Sequence, residues 1–114
     1  MGILQTSPKD MDVCIDLCQR CARACEECFA ACLKEADVQA RTMCIHHLEE
    51  CADMCFLAVK LMSANSPMAK SFCAMCAQMC GSCAQECSKF KDQHCQDCAK
   101  ICQECAEECR QMAG

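Results

Sequence analysis

The sequence predicts an all-α fold: an antiparallel, up-down-up-down four-helix bundle with a cysteine-lined core. The cysteines recur at alternating steps of three and four residues, a spacing that keeps side chains on one face of an α-helix. Helix start and stop signals divide the chain into four segments of about 20 to 27 residues, and short connections make consecutive helices antiparallel neighbours. A length of 114 residues suits one domain, which we expect to span residues 1–114.

The first two helices begin at recognisable start signals. The first helix is expected at about 8–34, because Ser7 can cap it and Pro8 suits its first turn. The second is expected at about 38–63, with Asp37 as its cap. Besides its cysteines, this second helix carries another apolar stripe, which indicates contact with a neighbouring helix or with another copy of the chain.

The last two helices repeat the same kind of signal. The third is expected at about 67–89, where Ser66 and Pro67 repeat the Ser-Pro start of the first helix. A polar segment then separates it from the fourth helix, expected at about 92–112 with Asp92 as its cap. Each of the four segments carries one row of cysteines, which we call its seam.

All nineteen cysteines of the chain fall on these four seams. They are Cys14, Cys18, Cys21, Cys25, Cys28 and Cys32 in the first helix, Cys44, Cys51 and Cys55 in the second, Cys73, Cys76, Cys80, Cys83 and Cys87 in the third, and Cys95, Cys98, Cys102, Cys105 and Cys109 in the fourth. Cysteine therefore occupies the positions that Leu and Ile fill in ordinary bundles. The second seam also contains Leu48, Ala58 and Met62, so it offers fewer thiols.

Disulfide bonds do not account for this pattern. The number of cysteines is odd, and Cβ atoms three or four residues apart on a helix lie about 5 to 6 Å apart, whereas a disulfide needs about 3.8 Å. The amino-terminal stretch "MGILQTSPKD" has neither the charged nor the apolar region of a secretory signal. We therefore expect a cytoplasmic protein whose thiols stay reduced.

Composition and motifs argue against several classes of protein. A formal net charge of -5 does not suit nucleic-acid binding, which selects basic surfaces. No apolar run approaches the roughly 20 residues of a membrane span, so no membrane association is expected. The sequence shows no Ser-His-Asp set and no Gly-rich phosphate loop, and we expect no enzymatic activity.

Rows of thiols at this density indicate a soft metal. Buried cysteine can act as a small hydrophobic residue, but nineteen of them would make a weak and oxidisable core. Thiolates bind Cu(I), Zn(II) and iron–sulfur clusters. The usual iron–sulfur motif is absent, and zinc in four-thiolate sites leaves two negative charges at each buried site. Cu(I) ions bridged by shared thiolates give a neutral core at about one ion per cysteine.

Three stretches of the chain resemble the bacterial copper storage proteins, in particular the cytosolic members of that family. They are "ECADMCFLAVKLM", "SPMAKSFCAMCAQMC" and "HCQDCAKICQECAEECRQMA", and the resemblance covers nearly the whole chain after Met11. It implies a tube of inward-facing cysteines that stores many Cu(I) ions, with all nineteen cysteines as ligands, and a homotetramer. It also implies that His94, which precedes the first cysteine of the fourth helix, is an additional ligand.

Other soft or titratable residues lie beside the seams. By spacing alone, His47 and His94 are either solvated side chains or auxiliary ligands at the end where the first and third connections lie. Met11, Met62 and Met112 continue three seams at the opposite end, where thioethers are soft ligands but also ordinary core fillers. Their roles are left open by the sequence.

The predicted function is storage and sequestration of Cu(I), delivered by a small thiol or a chaperone. The alternatives are a metal chaperone or a thiol-based redox sensor, and a zinc buffer. A chaperone would bind one or two ions at an exposed loop, so the number of bound ions separates it from a storage protein. Competition between metals separates a zinc buffer from both.

Overall fold

Four α-helices form the bundle. The computed structural model describes residue 3 and residues 9–114, and the side chains of residue 3 and residues 11–114. The helices are α1 (Lys9–Leu33), α2 (Thr42–Ser63), α3 (Ala69–Cys87) and α4 (Gln93–Ala113), with a short 3-10 helix at Val38–Arg41. The predicted all-α four-helix fold is confirmed. The expected cap Ser7 and the neighbouring Pro8 lie outside the described residues.

The helices are antiparallel and arranged in a ring. Each packs against two others, α1 against α2 and α4, and α3 against the same two. Cys14 near the start of α1 lies 3.7 Å from Cys109 near the end of α4, and Cys32 near the end of α1 lies 3.8 Å from Cys95 near the start of α4. The α1–α2 and α3–α4 connections therefore share one end of the bundle, the loop end; we call the other the terminal end.

Asp37 does not immediately precede α2 as predicted, whereas Asp92 occupies the predicted N-cap position of α4. Neither Asp37 nor Asp92 makes a capping hydrogen bond with its side chain, and α2 begins at Thr42 because the 3-10 helix intervenes. Both carboxylates accept hydrogen bonds from Arg41 instead, Asp37 at 2.6 Å through Oδ1. A carboxylate makes a charge-assisted bond with either partner, but only the buried guanidinium carries a full positive charge, so the tertiary contact prevails.

Local backbone chemistry ends α2 and starts α3. Asn65 adopts a left-handed conformation with φ 52°, a role that glycine or asparagine usually takes just after a helix. The amide of Ser66 donates to the Leu61 carbonyl at 2.9 Å, and that of Asn65 to Met62 at 3.1 Å, which closes a Schellman motif. The Ser66 hydroxyl then accepts a 3.1 Å bond from the Met68 amide, one residue before α3 begins.

The core is a column of small side chains. Leu48, Ala58 and Met62 fill the cysteine-free positions of the α2 seam and are at most 1% exposed. Most other buried positions are cysteine or alanine, which lets the four helices approach closely around a narrow axis. Over the part of the chain that the structure describes, no helix is both long and apolar enough to span a membrane.

Candidate metal centre

The structure brings all nineteen predicted thiol ligands into the core. Every cysteine is 2% exposed or less, and every one is free. Alternating steps of three and four produce this arrangement, because each seam faces the axis of the bundle along its whole length. The sulfur atoms therefore form one column running from the terminal end to the loop end.

Neighbouring sulfur atoms in the column lie 3.6 to 4.0 Å apart where they are hydrogen-bonded. The shortest contacts cross between helices: Cys18 to Cys109 and Cys21 to Cys102 join α1 to α4 at 3.6 Å, and Cys55 to Cys80 joins α2 to α3 at 3.6 Å. Contacts within one helix, such as Cys28 to Cys32, are about as short at 4.0 Å. A single ion can thus bridge sulfurs from one helix or from two.

These separations suit ions that bind two or three sulfurs. With a metal–sulfur bond of about 2.3 Å, sulfurs 3.6 to 4.0 Å apart subtend an angle of roughly 100 to 120° at the ion. Three-sulfur groups with all atoms within 4.8 Å include Cys14, Cys18 and Cys109 at the terminal end. Cys18 also belongs to a second such group with Cys55 and Cys76, so one sulfur can serve two ions.

Larger thiol groups lie in the middle of the column. Groups of four sulfurs within 4.8 Å of one another include Cys21, Cys25, Cys51 and Cys102, and Cys21, Cys55, Cys80 and Cys105. Cys21 is common to both, so these groups are linked and do not form separate sites. The arrangement favours a chain of shared ligands over a series of isolated metal ions.

The cost of burying charge favours protonated thiols before metal arrives, although hydrogen bonds with neighbouring thiols lower the pKa of some, Cys109 among them. Burial raises the pKa of the Cys95 thiol to about 12, because the thiolate loses its hydration in the core. The hydrogen bond with the Cys109 sulfur raises the pKa of Cys105 to about 11. Neutral thiols pack as small hydrophobic groups, whereas clustered thiolates would repel one another without water, so the metal-free core is expected to carry little charge at neutral pH.

His94 points its ring into the loop end of the column. Its Nδ1 lies 3.3 Å from the Cys28 sulfur and 3.5 Å from the Cys95 sulfur, and with Cys32 these residues form a group within 4.8 Å that we call the loop-end group. Its Nε2 donates a 2.9 Å hydrogen bond to Oε2 of Glu35. That bond holds the proton on Nε2 and leaves the lone pair of Nδ1 directed at the sulfurs.

Arg41 covers the same end of the column. Its side chain is only 5% exposed and is held by the carboxylates of Asp37 and Asp92 and by the face of Phe90, 4.6 Å from the guanidinium carbon. The hydrogen bond that Arg41 donates to Asp37 raises the pKa of Arg41 further, and Arg41 in turn lowers the pKa of Asp92. The guanidinium therefore stays charged at this position.

One amino group of Arg41 contacts the sulfurs of the loop-end group. Its Nη1 donates to the Cys95 sulfur at 3.5 Å and to the Cys32 sulfur at 3.7 Å. An N–H donor stabilises the negative charge of a thiolate, as hydrogen bonding to a charged form does in general. The loop-end group differs in this respect from the middle of the column, where the hydrogen-bonding partners of Cys21 and Cys102 are other thiols.

The remaining candidates from the sequence lie in different surroundings. His47 is partly exposed and its Nδ1 donates to the Met43 carbonyl of its own helix at 2.9 Å. Met11 and Met62 are buried at 6% and 0% exposure, and Met112 is partly buried beside the core. Their positions fit packing at the terminal end, and a ligand role for any of them stays a prediction.

Glu35 and Arg41 were not predicted as part of the site, although both lie one step beyond a row of cysteines. Continuing the alternation beyond Cys32 by three residues arrives at Glu35, and going back three from Cys44 arrives at Arg41. The same step beyond the last cysteine of α3 arrives at Phe90, whose ring packs on Arg41. Extending each seam by one step beyond its end cysteines would therefore have identified these residues from the sequence.

Comparison with known proteins agrees with this geometry. The family model described as copper storage protein, Csp, matches residues 7–114. The solved structure of Cu(I)-bound copper storage protein BsCsp3 is 46% identical, with a TM-score of 0.89 over 93% of this chain and 100% of that chain. A cytosolic copper storage protein from Streptomyces lividans, with five coppers, is 34% identical, with a TM-score of 0.87 over 92% of each chain.

A curated relative adds to these matches. The uncharacterized cysteine-rich protein YhjQ of Bacillus subtilis (strain 168) is 48% identical over 83 residues, which are 73% of this chain and 77% of that protein. The family match extends over nearly the entire length, and the resemblance drawn from the helix motifs is confirmed. The chain belongs to the copper storage protein family.

Proposed function

We propose that this protein stores Cu(I) ions along its core, held by thiolates shared between neighbouring ions. The observation that carries the proposal is the continuous column of nineteen buried sulfurs, with hydrogen-bonded neighbours 3.6 to 4.0 Å apart. Two relatives support the choice of metal, since one was solved bound to Cu(I) and another with five coppers. All nineteen cysteines and His94 are proposed ligands.

Charge explains why the column suits a monovalent ion. A Cu(I) ion bound to two thiolates that each serve two ions contributes no net charge to the core. A Zn(II) ion in a four-sulfur group, such as Cys21, Cys25, Cys51 and Cys102, leaves two uncompensated negative charges. Burying such charges without partners costs several kcal/mol for each ion. A long row of zinc sites is therefore disfavoured where a long row of Cu(I) ions is not.

The number of bound ions tests this function. Anaerobic titration of the fully reduced chain with Cu(I) is expected to end at about one ion per cysteine, in the high teens, because bridging gives equal numbers of sulfur and metal atoms. Thiolate-to-metal absorption reports the end point, and the absence of Trp and Tyr keeps the protein background low. Substituting Ser for Cys102 in the middle of the column is expected to lower the count.

Other end points would identify other functions. One or two ions per chain would fit a chaperone or a sensor, and four or five would fit zinc-like sites with unshared thiolates. The titration therefore separates storage from both alternatives. Retention of copper against excess Zn(II) then distinguishes copper storage from zinc buffering.

The same core supports a storage role over catalysis. Every cysteine is at most 2% exposed, so an organic substrate cannot reach a thiol. A bare metal ion can still enter the core, because it can pass from one sulfur to the next. We propose a cytoplasmic location and delivery by a small thiol or a chaperone. The free thiols and the relative described as cytosolic support that location.

We also propose that the chain forms a homotetramer. Large apolar side chains remain exposed on α2, with Met43 at 60%, Phe56 at 53% and Leu57 at 42%, and others on α1 and α3, such as Leu33 at 51% and Met75 at 58%. Contact between copies would remove this apolar surface from water. Light scattering of the reduced protein measures the assembly, and a monomer would contradict the proposal.

A further inference from the structure

We infer that, in the copper-free chain, the loop-end group of Cys28, Cys32, Cys95 and His94 is a tetrahedral site for one Zn(II) ion. The four ligand atoms lie within 4.8 Å of one another. Three thiolates and one imidazole are a common donor set for structural zinc. The inference does not depend on copper storage, because it concerns a single site at one end of the bundle.

The distances between ligand atoms match a tetrahedron around zinc. Zn–S bonds of about 2.3 Å at tetrahedral angles place sulfurs roughly 3.8 Å apart. The observed separations are 3.8 Å for Cys28 to Cys95, 3.8 Å for Cys32 to Cys95 and 4.0 Å for Cys28 to Cys32. With a Zn–N bond of about 2.0 Å, a nitrogen lies roughly 3.5 Å from each sulfur. His94 Nδ1 lies 3.3 and 3.5 Å from two of them.

Hydrogen bonds from outside the group support three of its four ligands, His94, Cys95 and Cys32, in the form that zinc requires. Glu35 accepts the Nε2 proton of His94 at 2.9 Å, the carboxylate–histidine arrangement that orients zinc-bound imidazoles. Arg41 donates through Nη1 to the sulfurs of Cys95 and Cys32 at 3.5 and 3.7 Å. A thiolate that binds a single ion keeps more negative charge than one that bridges two ions. N–H donors of this kind stabilise that remaining charge.

Charge separates this site from the four-sulfur groups in the middle of the column. Zn(II) with three thiolates and a neutral imidazole carries one negative charge, and the Arg41 guanidinium lies against it. The group of Cys21, Cys25, Cys51 and Cys102 would carry two negative charges, and its sulfurs are bonded only to other thiols among the described side chains. Zinc is therefore expected to enter the loop-end group first.

The test begins with the reduced, metal-free full-length chain under anaerobic conditions. Co(II), which takes zinc sites and absorbs visibly in tetrahedral fields, is added first, and Zn(II) is then used to displace it. The expected result is one tight equivalent of Co(II) per chain, displaced by one Zn(II). X-ray absorption of the chain with one Zn(II) is expected to show three sulfurs at about 2.3 Å and one nitrogen at about 2.0 Å.

Variants at the loop end assign the ion to this group. His94→Gln is expected to remove the nitrogen from the zinc shell and weaken binding at least about tenfold. Arg41→Met is expected to weaken binding several-fold while leaving the shell at three sulfurs and one nitrogen. His47→Gln is the matched control, because His47 lies at the same end but bonds to the Met43 carbonyl, and it is expected to bind as the unchanged chain does.

Several results would overturn the inference. A shell of four sulfurs in the unchanged chain would place zinc in the middle of the column, and weak binding would show that no preformed site exists. Equal affinity in the His94→Gln variant and the unchanged chain would remove His94 from the site. None of these outcomes changes the expected Cu(I) count, so this inference and the storage function fail or succeed separately. Circular dichroism confirms that each variant is folded.

Discussion

Each Cu(I) ion that enters the reduced chain at pH 7 is expected to release close to one proton, up to a total in the high teens. Burying many thiolates side by side is costly, so most thiols are expected to hold their protons in the metal-free core, as at Cys95, where burial raises the pKa to about 12. Copper binds thiolate, so every thiol that becomes a ligand gives up a proton. If each sulfur serves two ions and each ion two sulfurs, one proton leaves for each positive charge that arrives.

The ratio of protons to ions is the quantity that distinguishes bridging from isolated sites. It is measured with a pH indicator in weak buffer during the titration, after correction for protons carried by the copper donor. A ratio of two or more, sustained to the end point, would mean that most thiolates bind one ion only. A ratio near zero would mean that the thiols were ionised beforehand, which contradicts a neutral core. Zinc in a four-sulfur group would release nearly four protons for each ion.

Copper loading is also expected to raise the melting temperature by more than about 20 °C. An ion that binds the folded state at 100 times its dissociation constant adds about 2.7 kcal/mol, and many ions bind. Even two such sites would raise the melting temperature of a small domain by about 20 °C, since about 1 kcal/mol of added stability corresponds to 4 to 8 °C. The unfolded chain also binds copper, but it does not bring sulfurs from several helices to one ion.

Circular dichroism at increasing temperature measures this effect and its pH dependence. The reduced metal-free chain is expected to be helical already, because neutral thiols and the Schellman motif at Asn65 do not require metal. Its stability is expected to fall as pH rises from about 8.5 toward 12, where unfolded thiols lose protons that folded ones such as Cys95 retain. A random-coil spectrum, or equal melting with and without copper, would contradict this account.

The predictability of the seams follows from helical geometry. A strict alternation of three and four residues places cysteines on one face whatever the rest of the sequence does, so the burial of the α1 row from Cys14 to Cys32 follows directly. The interruptions at Leu48, Ala58 and Met62 were visible for the same reason, and they are buried as expected. Periodic positions depend little on partners distant in sequence.

The loop end was less predictable because its contacts depend on residues distant in sequence. Asp37 and Asp92 look like helix caps in the sequence, and only the fold shows that both carboxylates reach Arg41. His94 was singled out as a ligand candidate, but its Nδ1 geometry depends on Glu35, 59 residues away. A local sequence pattern does not show whether a carboxylate will bond to the backbone amides of the next helix or to a side chain distant in sequence.

Anomalous X-ray diffraction at the copper edge, on crystals of the fully loaded chain, tests the central claim most directly. The account predicts a row of copper peaks along the axis of the bundle, each about 2.3 Å from two or three sulfurs, with most sulfurs touching two peaks. Copper bound mainly to outer side chains, or sulfurs that each touch a single ion, would contradict storage by shared thiolates.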